Sequence, residues 1–289
     1  MLIKSGFVNV IKPTGVSSSN VVCRVKKILG TSKVGHLGTL DPAASGVLPV
    51  AFGKATKFFD YFLRKDKEYV ADVLFGIETD TLDSFGNITK TESVNIRKED
   101  IEKVLPNFIG KINQVPPMYS AIKVDGKKAC DLAREGKVID LKSREIEIFS
   151  IDILSEIGGN KFRFKVHCSA GTYIRTLFND IAGELGTVAT TPVIIRTKSG
   201  AFDIENALTL DELEENKSVI SIENLFSNSE FIDITDEVLV KKLLCGVKLK
   251  QTEIGIKLEG NFFLKTNNQL IGMYHFDGEN LICDVFLFE

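Results

Sequence analysis

Tryptophan is absent from this 289-residue sequence, and the residues that build disulfide frameworks and metal clusters are few. The five cysteines are odd in number and include no C-x-x-C pair, so we expect neither a disulfide framework nor a zinc cluster. The three histidines lie far apart in the sequence and show no metal-ligand spacing. This cysteine usage is typical of a reducing compartment, and we predict a cytoplasmic protein without a metal site.

Long apolar runs are also missing. No run approaches the roughly 18 residues that would span a bilayer, so we expect no membrane partner. The first residues show neither a long apolar segment nor a small-residue cleavage site, and we expect no secretion signal. Hydrophobic residues make up 44% and charged residues 26% of the chain, which is typical of a globular protein with a buried core.

The net charge of −3 hides a strongly uneven distribution of charge along the chain. Residues 1–70 contain eleven Lys and Arg against four Asp and Glu, whereas residues 204–238 contain ten acidic residues and one lysine. Because a polyanion responds to the local field and not to the net charge, the basic N-terminal part favours a nucleic-acid partner.

A phosphate-binding loop is excluded, although Gly53 and Lys54 are adjacent. That motif requires Ser or Thr after the lysine and a glycine five positions before the second glycine. This chain has Ala55 and Leu48 at those two positions, and a nucleoside-triphosphate site is therefore not predicted.

The most unusual stretch has the sequence GHLGTLDPAASGVLP at residues 35–49. Three glycines and two prolines predict an irregular loop between two regular elements. Asp41 is its only carboxylate, and Pro42 restricts the backbone of Asp41 to an extended conformation. An Asp-Pro pair taken alone usually makes a turn, so a functional role for Asp41 needs partners elsewhere in the chain.

Periodicity predicts strands at residues 8–11, 68–75, 144–154 and 161–168 and a helix at residues 19–29, which Ser17 or Ser18 begins and Gly30 ends. A second helix follows residue 172 and has an apolar stripe from Ile174 to Leu185. Arg175 lies off that stripe in the first turn, where the helix dipole disfavours a cation. We therefore predict that Arg175 has an anionic partner elsewhere.

Two further regions have a distinct character. Residues 113–150 resemble an insertion, with a proline-stiffened start, a tight turn at Asp125 and Gly126 and a short basic helix from Lys127. From about Phe231 the pattern predicts a small β-rich domain with strands at residues 247–250, 254–258, 262–265, 270–275 and 281–288.

Six segments, which follow one another in order over residues 8–203, closely resemble motifs of the TruB family of tRNA pseudouridine synthases. They are the stretch at 35–49, QVPPMYSAIK at 114–123, SAGTYIRTL at 169–177, KPTGVS at 12–17, KEY at 67–69 and RTKSG at 196–200. The resemblance implies an α+β fold with a mixed-sheet pseudouridine synthase catalytic domain at residues 1–230. It further implies a thumb insertion at about residues 113–150 and a β-rich, PUA-like RNA-binding domain at residues 231–289.

The same resemblance implies isomerisation of uridine 55 in the T-loop of tRNA by base flipping, glycosidic cleavage and reattachment through C5, with no cofactor. Asp41 would act at C1′, Tyr69 would stack on the target base and assist C5 deprotonation, and Arg175 would pair with Asp41. His36 would enter the T-loop in place of extruded bases. The other residues implied in RNA contacts are Lys12, Lys57, Lys67, Tyr119, Lys123, Lys127, Arg196 and Lys198.

The implied partner is tRNA, contacted at the T-arm and elbow by a monomer without a guide RNA, with the acceptor stem as a further candidate contact of the C-terminal domain. Three alternatives stay open: an RNA-binding protein that acts only as a tRNA chaperone, a nuclease with Mg²⁺ on Asp41, Asp80 and Asp83, and the archaeal-eukaryotic relative that uses a guide RNA. A chaperone role can also accompany catalysis. EDTA sensitivity distinguishes the nuclease, and the thumb-like insertion favours the stand-alone enzyme over the guide-dependent one.

Overall fold

The computed structural model describes residues 4–120, 122–124, 126–137, 139–255 and 257–288. The strands are β1 (Gly6–Lys12), β2 (Val34–His36), β3 (Ser45–Phe52), β4 (Lys67–Phe75), β5 (Ile77–Thr79), β6 (Ile88–Thr91), β7 (Gly110–Gln114), β8 (Lys123–Val124), β9 (Lys127–Lys128), β10 (Arg144–Gly158), β11 (Lys161–Cys168), β12 (Ala189–Ser199), β13 (Phe202–Asp203), β14 (Phe231–Asp233), β15 (Phe262–Thr266), β16 (Gln269–Phe276) and β17 (Leu281–Phe286). The α-helices are α1 (Ser18–Leu29), α2 (Phe59–Leu63), α3 (Lys98–Val104), α4 (Ala129–Arg134), α5 (Ile174–Glu184), α6 (Leu210–Asn216), α7 (Ile222–Leu225), α8 (Glu237–Leu244) and α9 (Gln251–Ile254). Short 3-10 helices occupy Gly53–Phe58, Leu105–Phe108 and Ile204–Asn206.

A large mixed sheet with the strand order β1-β3-β12-β4-β11-β10-β7 organises the N-terminal part of the chain. The β3–β12 pair is parallel and its neighbours along the sheet are antiparallel, which confirms the expected mixed-sheet α+β architecture. One face is covered by helices, with Val21 of α1, Ile101 of α3 and Phe178 of α5 in a single core. The alternation of side chains along the strands directs the other set of apolar residues to the opposite face.

That opposite face is shared with the C-terminal part of the chain. Phe7 and Val47 of the large sheet lie in one apolar cluster with Phe263 of β15 and Met273 of β16. The ring of Phe226 lies 5.0 Å from that of Phe263. The C-terminal sheet, in the order β14-β15-β16-β17, therefore packs against the large sheet through a common aromatic core.

The helix prediction at residues 19–29 is confirmed: Ser17 Oγ accepts from the Asn20 amide at the start of α1, and Gly30 ends it in the left-handed conformation. The strand predicted at residues 161–168 is confirmed by β11. The strand predicted at residues 144–154 lies within β10, where the alternating apolar pattern is interrupted by a register shift between Ile148 and Ser150.

Two predicted features are wrong. The stretch at residues 35–49 is irregular only at residues 37–44, because β2 and β3 take its two ends. In the C-terminal part of the chain, the described residues of 247–250 and 254–258 form no strand, although Lys250 makes a single β-bridge with Asn280. The helix α9 takes Gln251–Ile254, where the Glu253 carboxylate accepts from the Lys250 amide and Gly255 ends the helix; residue 256 lies outside the described residues.

The segment predicted to be an insertion at about residues 113–150 connects neighbouring strands, since Gln114 of β7 pairs with Arg144 of β10. Residues 115–143 project between these two strands and contain β8, β9 and α4. Within the described part of the chain, no helix is long and apolar enough to cross a membrane.

Candidate active site

Asp41 lies in the irregular loop at residues 37–44, and Arg175 lies in the first turn of α5. Nη2 of Arg175 donates to Oδ2 of Asp41 over 2.5 Å, although the two residues are 134 positions apart. This contact confirms the prediction that Arg175 has an anionic partner. The Arg175 side chain is 3% exposed and that of Asp41 is 38% exposed, so the arginine is fixed inside the protein while the carboxylate faces a cavity.

The guanidinium of Arg175 has further partners on other segments. Nη1 donates to the Thr81 carbonyl over 2.6 Å, and Nη2 donates to the Tyr119 carbonyl over 3.0 Å. A planar fork with several fixed acceptors can hold only one orientation. Arg175 thereby links the loop at residues 37–44 to the β5–β6 connection and to the first residues of the insertion.

A second buried carboxylate, Asp83, lies 3.5 Å from Nη1 of Arg175. Its Oδ1 accepts from the hydroxyl of Thr81 and from the amide of Phe85. Arg175 therefore lies between two carboxylates and balances part of their charge. Asp80 is used differently, since its Oδ1 accepts from the Asn87 amide. In the described residues, no group of three or more His, Cys, Asp or Glu side chains forms a cluster that could hold a metal ion.

The backbone of the Asp41 loop is fixed by side chains from three other elements. Arg196 donates from Nη2 to the Gly38 carbonyl and from Nη1 to the Thr39 carbonyl, over 3.1 and 3.2 Å. The hydroxyl of Ser18 both donates to the Leu40 carbonyl and accepts from the Leu40 amide, each over 2.9 Å. Nζ of Lys12 contacts the Pro42 carbonyl at 3.4 Å. The carbonyls on both sides of Asp41 are thus occupied by the protein itself.

One glycine in this region has a steric requirement. Gly46 adopts φ +103°, and a Cβ atom there would lie 2.3 Å from the Arg196 carbonyl oxygen. Glycine permits both the positive φ and the close approach of β3 to β12. The approach brings Arg196 next to the loop, where its Nε also donates to the Val47 carbonyl over 2.8 Å.

A cavity of about 310 Å³ opens on one side of Asp41. Tyr69, Ile194 and Leu63 line it together with Asp41 and Arg175. Burial raises the pKa of Tyr69 to about 12, so at neutral pH its hydroxyl is protonated. A neutral phenol is a poor proton acceptor, and this favours the predicted stacking role of Tyr69 over a role as the base that removes the C5 proton.

A second cavity, of about 500 Å³, opens on the other side of the Asp41–Arg175 pair and is lined by His36, Phe85 and Tyr119. Burial, with a smaller effect of Arg196, lowers the pKa of His36, so its ring is neutral at neutral pH. His36 Nδ1 has no hydrogen-bond partner among the described residues. A neutral ring is compatible with entry into a stack of bases, and this role of His36 stays a prediction.

Three cations predicted to contact RNA are buried: Lys12 (0% exposed), Lys67 (6%) and Arg196 (1%). Nζ of Lys67 donates to the Leu63 carbonyl over 2.8 Å, and Nζ of Lys12 donates to the Pro13 and Val16 carbonyls. Burial lowers the pKa of each lysine to about 8. The donors of all three are directed at the chain's own carbonyls and support the local backbone, whereas their contact with RNA stays a prediction.

The other predicted RNA contacts differ in exposure. Lys57 and Lys127 are exposed, and Lys198 is half-buried with its Nζ 4.0 Å from Asp203. Tyr119 is half-buried beside the second cavity. The side chain of Lys123 lies outside the described part of the structure.

The basic face of β11 is neutralised by the acidic residues of its neighbour β4. Arg163 makes a two-point contact with Asp72, at 2.6 and 3.0 Å, and Lys165 lies 2.9 Å from Glu68. Positive charge on this strand is therefore compensated within the sheet.

Sequence reasoning did not identify Ser18 as a support of the loop, because a serine before a helix is usually a cap. It considered Asp83 only as a metal ligand. The helix needs only one serine, Ser17, as its N-cap. The second serine was the signal in the sequence that Ser18 could have a separate role.

Residues 26–174 match the family model described as TruB family pseudouridylate synthase (N terminal domain). The protein named tRNA pseudouridine synthase B from Clostridioides difficile (strain 630) is 50% identical over 218 residues, which cover 73% of this chain and 72% of that protein. The protein of the same name from Clostridium tetani (strain Massachusetts / E88) is 41% identical over 275 residues, which cover 93% of this chain and 94% of that protein. Among solved structures, a chain of a Cbf5-Nop10-Gar1 complex superposes with a TM-score of 0.71 at 30% identity, over 95% of this chain and 79% of that chain.

Proposed function

The chain belongs to the TruB family of pseudouridylate synthases, and we propose that it isomerises uridine 55 in the T-loop of tRNA to pseudouridine. The observation that carries this proposal is the ion pair of Asp41 with the buried Arg175, at the edge of a cavity that Tyr69 also lines. Relatives that are 41–50% identical bear the name tRNA pseudouridine synthase B, which supports tRNA as the substrate.

The reaction breaks the bond between C1′ and N1 of the uridine and forms a bond between C1′ and C5. The hydrogen on C5 leaves as a proton and N1 of the product carries a proton, so the reaction is a redox-neutral isomerisation. A carboxylate can assist by attack at C1′ or by stabilising positive charge that develops there. We assign this role to Asp41, which is partly exposed to the cavity while Arg175 fixes its orientation.

The target base has to leave the T-loop stack before C1′ becomes accessible, which costs a few kcal/mol. Stacking on an aromatic ring offsets part of that cost. We assign this stacking to Tyr69, and Ile194 and Leu63 supply apolar walls for the same cavity. The exposed cations Lys57 and Lys127 remain candidates for phosphate contacts.

The proposed function is tested with a T-arm transcript that carries tritium at C5 of its uridines. The protein should release one equivalent of tritium per transcript without added metal, and EDTA should not affect the rate. Mapping of the product should place pseudouridine at position 55, and the transcript should stay intact. Cleaved RNA or loss of activity in EDTA would instead support a metal-dependent nuclease.

Asp41→Asn should reduce tritium release by more than about 1,000-fold, because the amide cannot act as a nucleophile or as an anion at C1′. Asp60→Asn is the matched control, since Asp60 is an exposed carboxylate on α2 outside both cavities. Equal release by wild type and Asp41→Asn would disprove the role of Asp41.

A further inference from the structure

Phe85 is a large aromatic side chain that is 56% exposed to solvent, at the rim of the cavity of about 500 Å³. Single exposed apolar residues are common on protein surfaces and by themselves carry no functional meaning. Phe85 differs because Asp41 and Arg175 line the same cavity. An exposed ring is thus presented to the space directly beside the proposed catalytic carboxylate.

The backbone that carries Phe85 is fixed. Oδ1 of Asp83 accepts from the Phe85 amide over 2.9 Å, and Oδ1 of Asp80 accepts from the Asn87 amide over 2.9 Å. Gly86 between them is packed so closely that a Cβ atom would lie 2.4 Å from Oδ1 of Asp80. Because the loop is ordered before any ligand binds, a ligand that stacks on Phe85 loses little additional entropy.

The two cavities meet at the loop of residues 37–44. Thr39, Leu40, Asp41 and Arg175 line both of them, while Tyr69 lines only the smaller and Phe85 only the larger. An RNA strand that places one base in the smaller cavity beside Asp41 would therefore carry a neighbouring nucleotide towards the larger one. A volume of about 500 Å³ lies within the range of small-ligand sites.

We propose that Phe85 is a stacking platform for an unpaired nucleobase adjacent to the target uridine. This inference rests on the proposed function, and it adds a residue that binds the nucleotide next to the target. The flat ring offers the sequence-tolerant aromatic surface on which single-stranded bases stack. Asp83 couples the platform to the catalytic site, since one of its oxygens holds the Phe85 amide and the other faces Arg175.

Binding of a T-arm stem-loop tests the platform through three substitutions at one position. Phe85→Ala should raise the Kd by roughly 5- to 100-fold, which corresponds to the loss of one stacked base. Phe85→Leu keeps the apolar bulk without a flat ring and should also raise the Kd. Phe85→Tyr keeps an aromatic ring and should retain the wild-type Kd. Ile88→Ala is the matched control, because Ile88 is a 65% exposed apolar residue on the adjoining β6 that lies outside both cavities.

An abasic nucleotide on the 5′ or the 3′ side of the target then identifies the base. One of the two abasic RNAs should bind the wild-type protein more weakly than the intact RNA does. The same abasic RNA should bind Phe85→Ala with the Kd of the intact RNA, because this variant has already lost the stacking contact. Unaltered binding by Phe85→Ala, full binding by Phe85→Leu, or equal abasic losses in wild type and Phe85→Ala would each overturn the proposal. Activity of the wild-type protein on the intact T-arm separates the test of the proposed function from the test of Phe85. If no pseudouridine forms, the proposed function is wrong. If pseudouridine forms, the binding results above test the role of Phe85 alone.

Discussion

The loop at residues 37–44 and the projecting segment at residues 115–143 both depart from the central sheet, and the protein holds them differently. The loop is bound by side chains of β1, α1, α5 and β12, and the donors Lys12, Ser18, Arg175 and Arg196 are all buried. Its position is therefore determined by contacts that are distant in sequence.

The projecting segment is held at its root by contacts to α5 and to the residue that precedes it. The amide group of Gln114 donates to the Tyr173 carbonyl over 3.1 Å and accepts from the Tyr173 amide over 2.8 Å. The Tyr119 carbonyl accepts from Arg175. Beyond this root, Lys127 lies in an exposed position on the short strand β9.

The difference between the two regions corresponds to two physical demands. A reacting carboxylate has to be held within about 0.5 Å of its productive position, which requires fixed supports. Contacts to phosphates tolerate long, exposed side chains, because the attraction between charges depends weakly on orientation. Substitutions in the loop supports should therefore reduce turnover, and substitutions in the projecting segment should reduce affinity.

The largest effect of this kind is expected from Arg175→Lys. Lysine keeps the positive charge near Asp41 and Asp83, but a single ammonium cannot replace a fork that also contacts the Thr81 and Tyr119 carbonyls. We expect kcat to fall by about 100-fold while the Kd for the T-arm changes by less than about threefold. Single-turnover rates and a binding titration measure the two quantities.

Arg163→Lys is the matched control for that substitution. Arg163 also makes a two-point contact with a buried carboxylate, that of Asp72, but on the outer face of β11. The control should leave kcat unchanged. A loss of affinity without a loss of turnover in Arg175→Lys would contradict the positioning role of Arg175.

A smaller effect on turnover is expected from Ser18→Ala. Alanine leaves the buried amide and carbonyl of Leu40 without their shared partner, next to Asp41. An unsatisfied buried polar group costs about 1–3 kcal/mol, and the loop can relieve this only by moving. We expect kcat to fall by about 10-fold with KM nearly unchanged, as measured by tritium release over a range of T-arm concentrations.

Ser17→Ala separates positioning from stability. Ser17 Oγ caps α1 through the Asn20 amide, so its loss costs about 1 kcal/mol of stability and leaves the hydrogen bonds of Ser18 to Leu40 in place. If both variants are destabilised and only Ser18→Ala loses turnover, Ser18 positions the loop. If the two variants lost turnover equally, Ser18 would contribute only to stability, and its role in positioning the loop would be disproved.

An anionic partner for Arg175 was predictable from local pattern, because a cation at the positive end of a helix is unfavourable without one. The choice of Asp41 as that partner came from the family resemblance, since an aspartate before proline taken alone usually makes a turn. The strand β11 and the helix α1 were also predictable, because alternation in the strand and an apolar stripe with caps in the helix are local patterns.

The buried cations were not predictable from the sequence. Lys12, Lys67 and Arg196 occur in basic segments, and charge alone does not show whether a side chain is directed at phosphate or at the protein's own carbonyls. The partners of Arg196 lie 149–158 positions away in the sequence, and the parallel pairing of β12 with β3 brings them together. The helix α9 was missed because a four-residue segment has too few positions to display a period.

The smallest effect is expected in the projecting segment, from Lys127→Gln. Loss of one exposed charge should raise the Kd for the T-arm by a few-fold and lower the slope of log Kd against log salt by about 1, while kcat stays unchanged. Lys165→Gln is the control, because Lys165 is compensated by Glu68 at 2.9 Å and should contribute little to RNA binding. Binding titrations at several salt concentrations measure both variants. If Lys127→Gln lowered kcat, or if the two variants lost affinity equally, the proposed division between a fixed catalytic loop and a gripping insertion would be wrong.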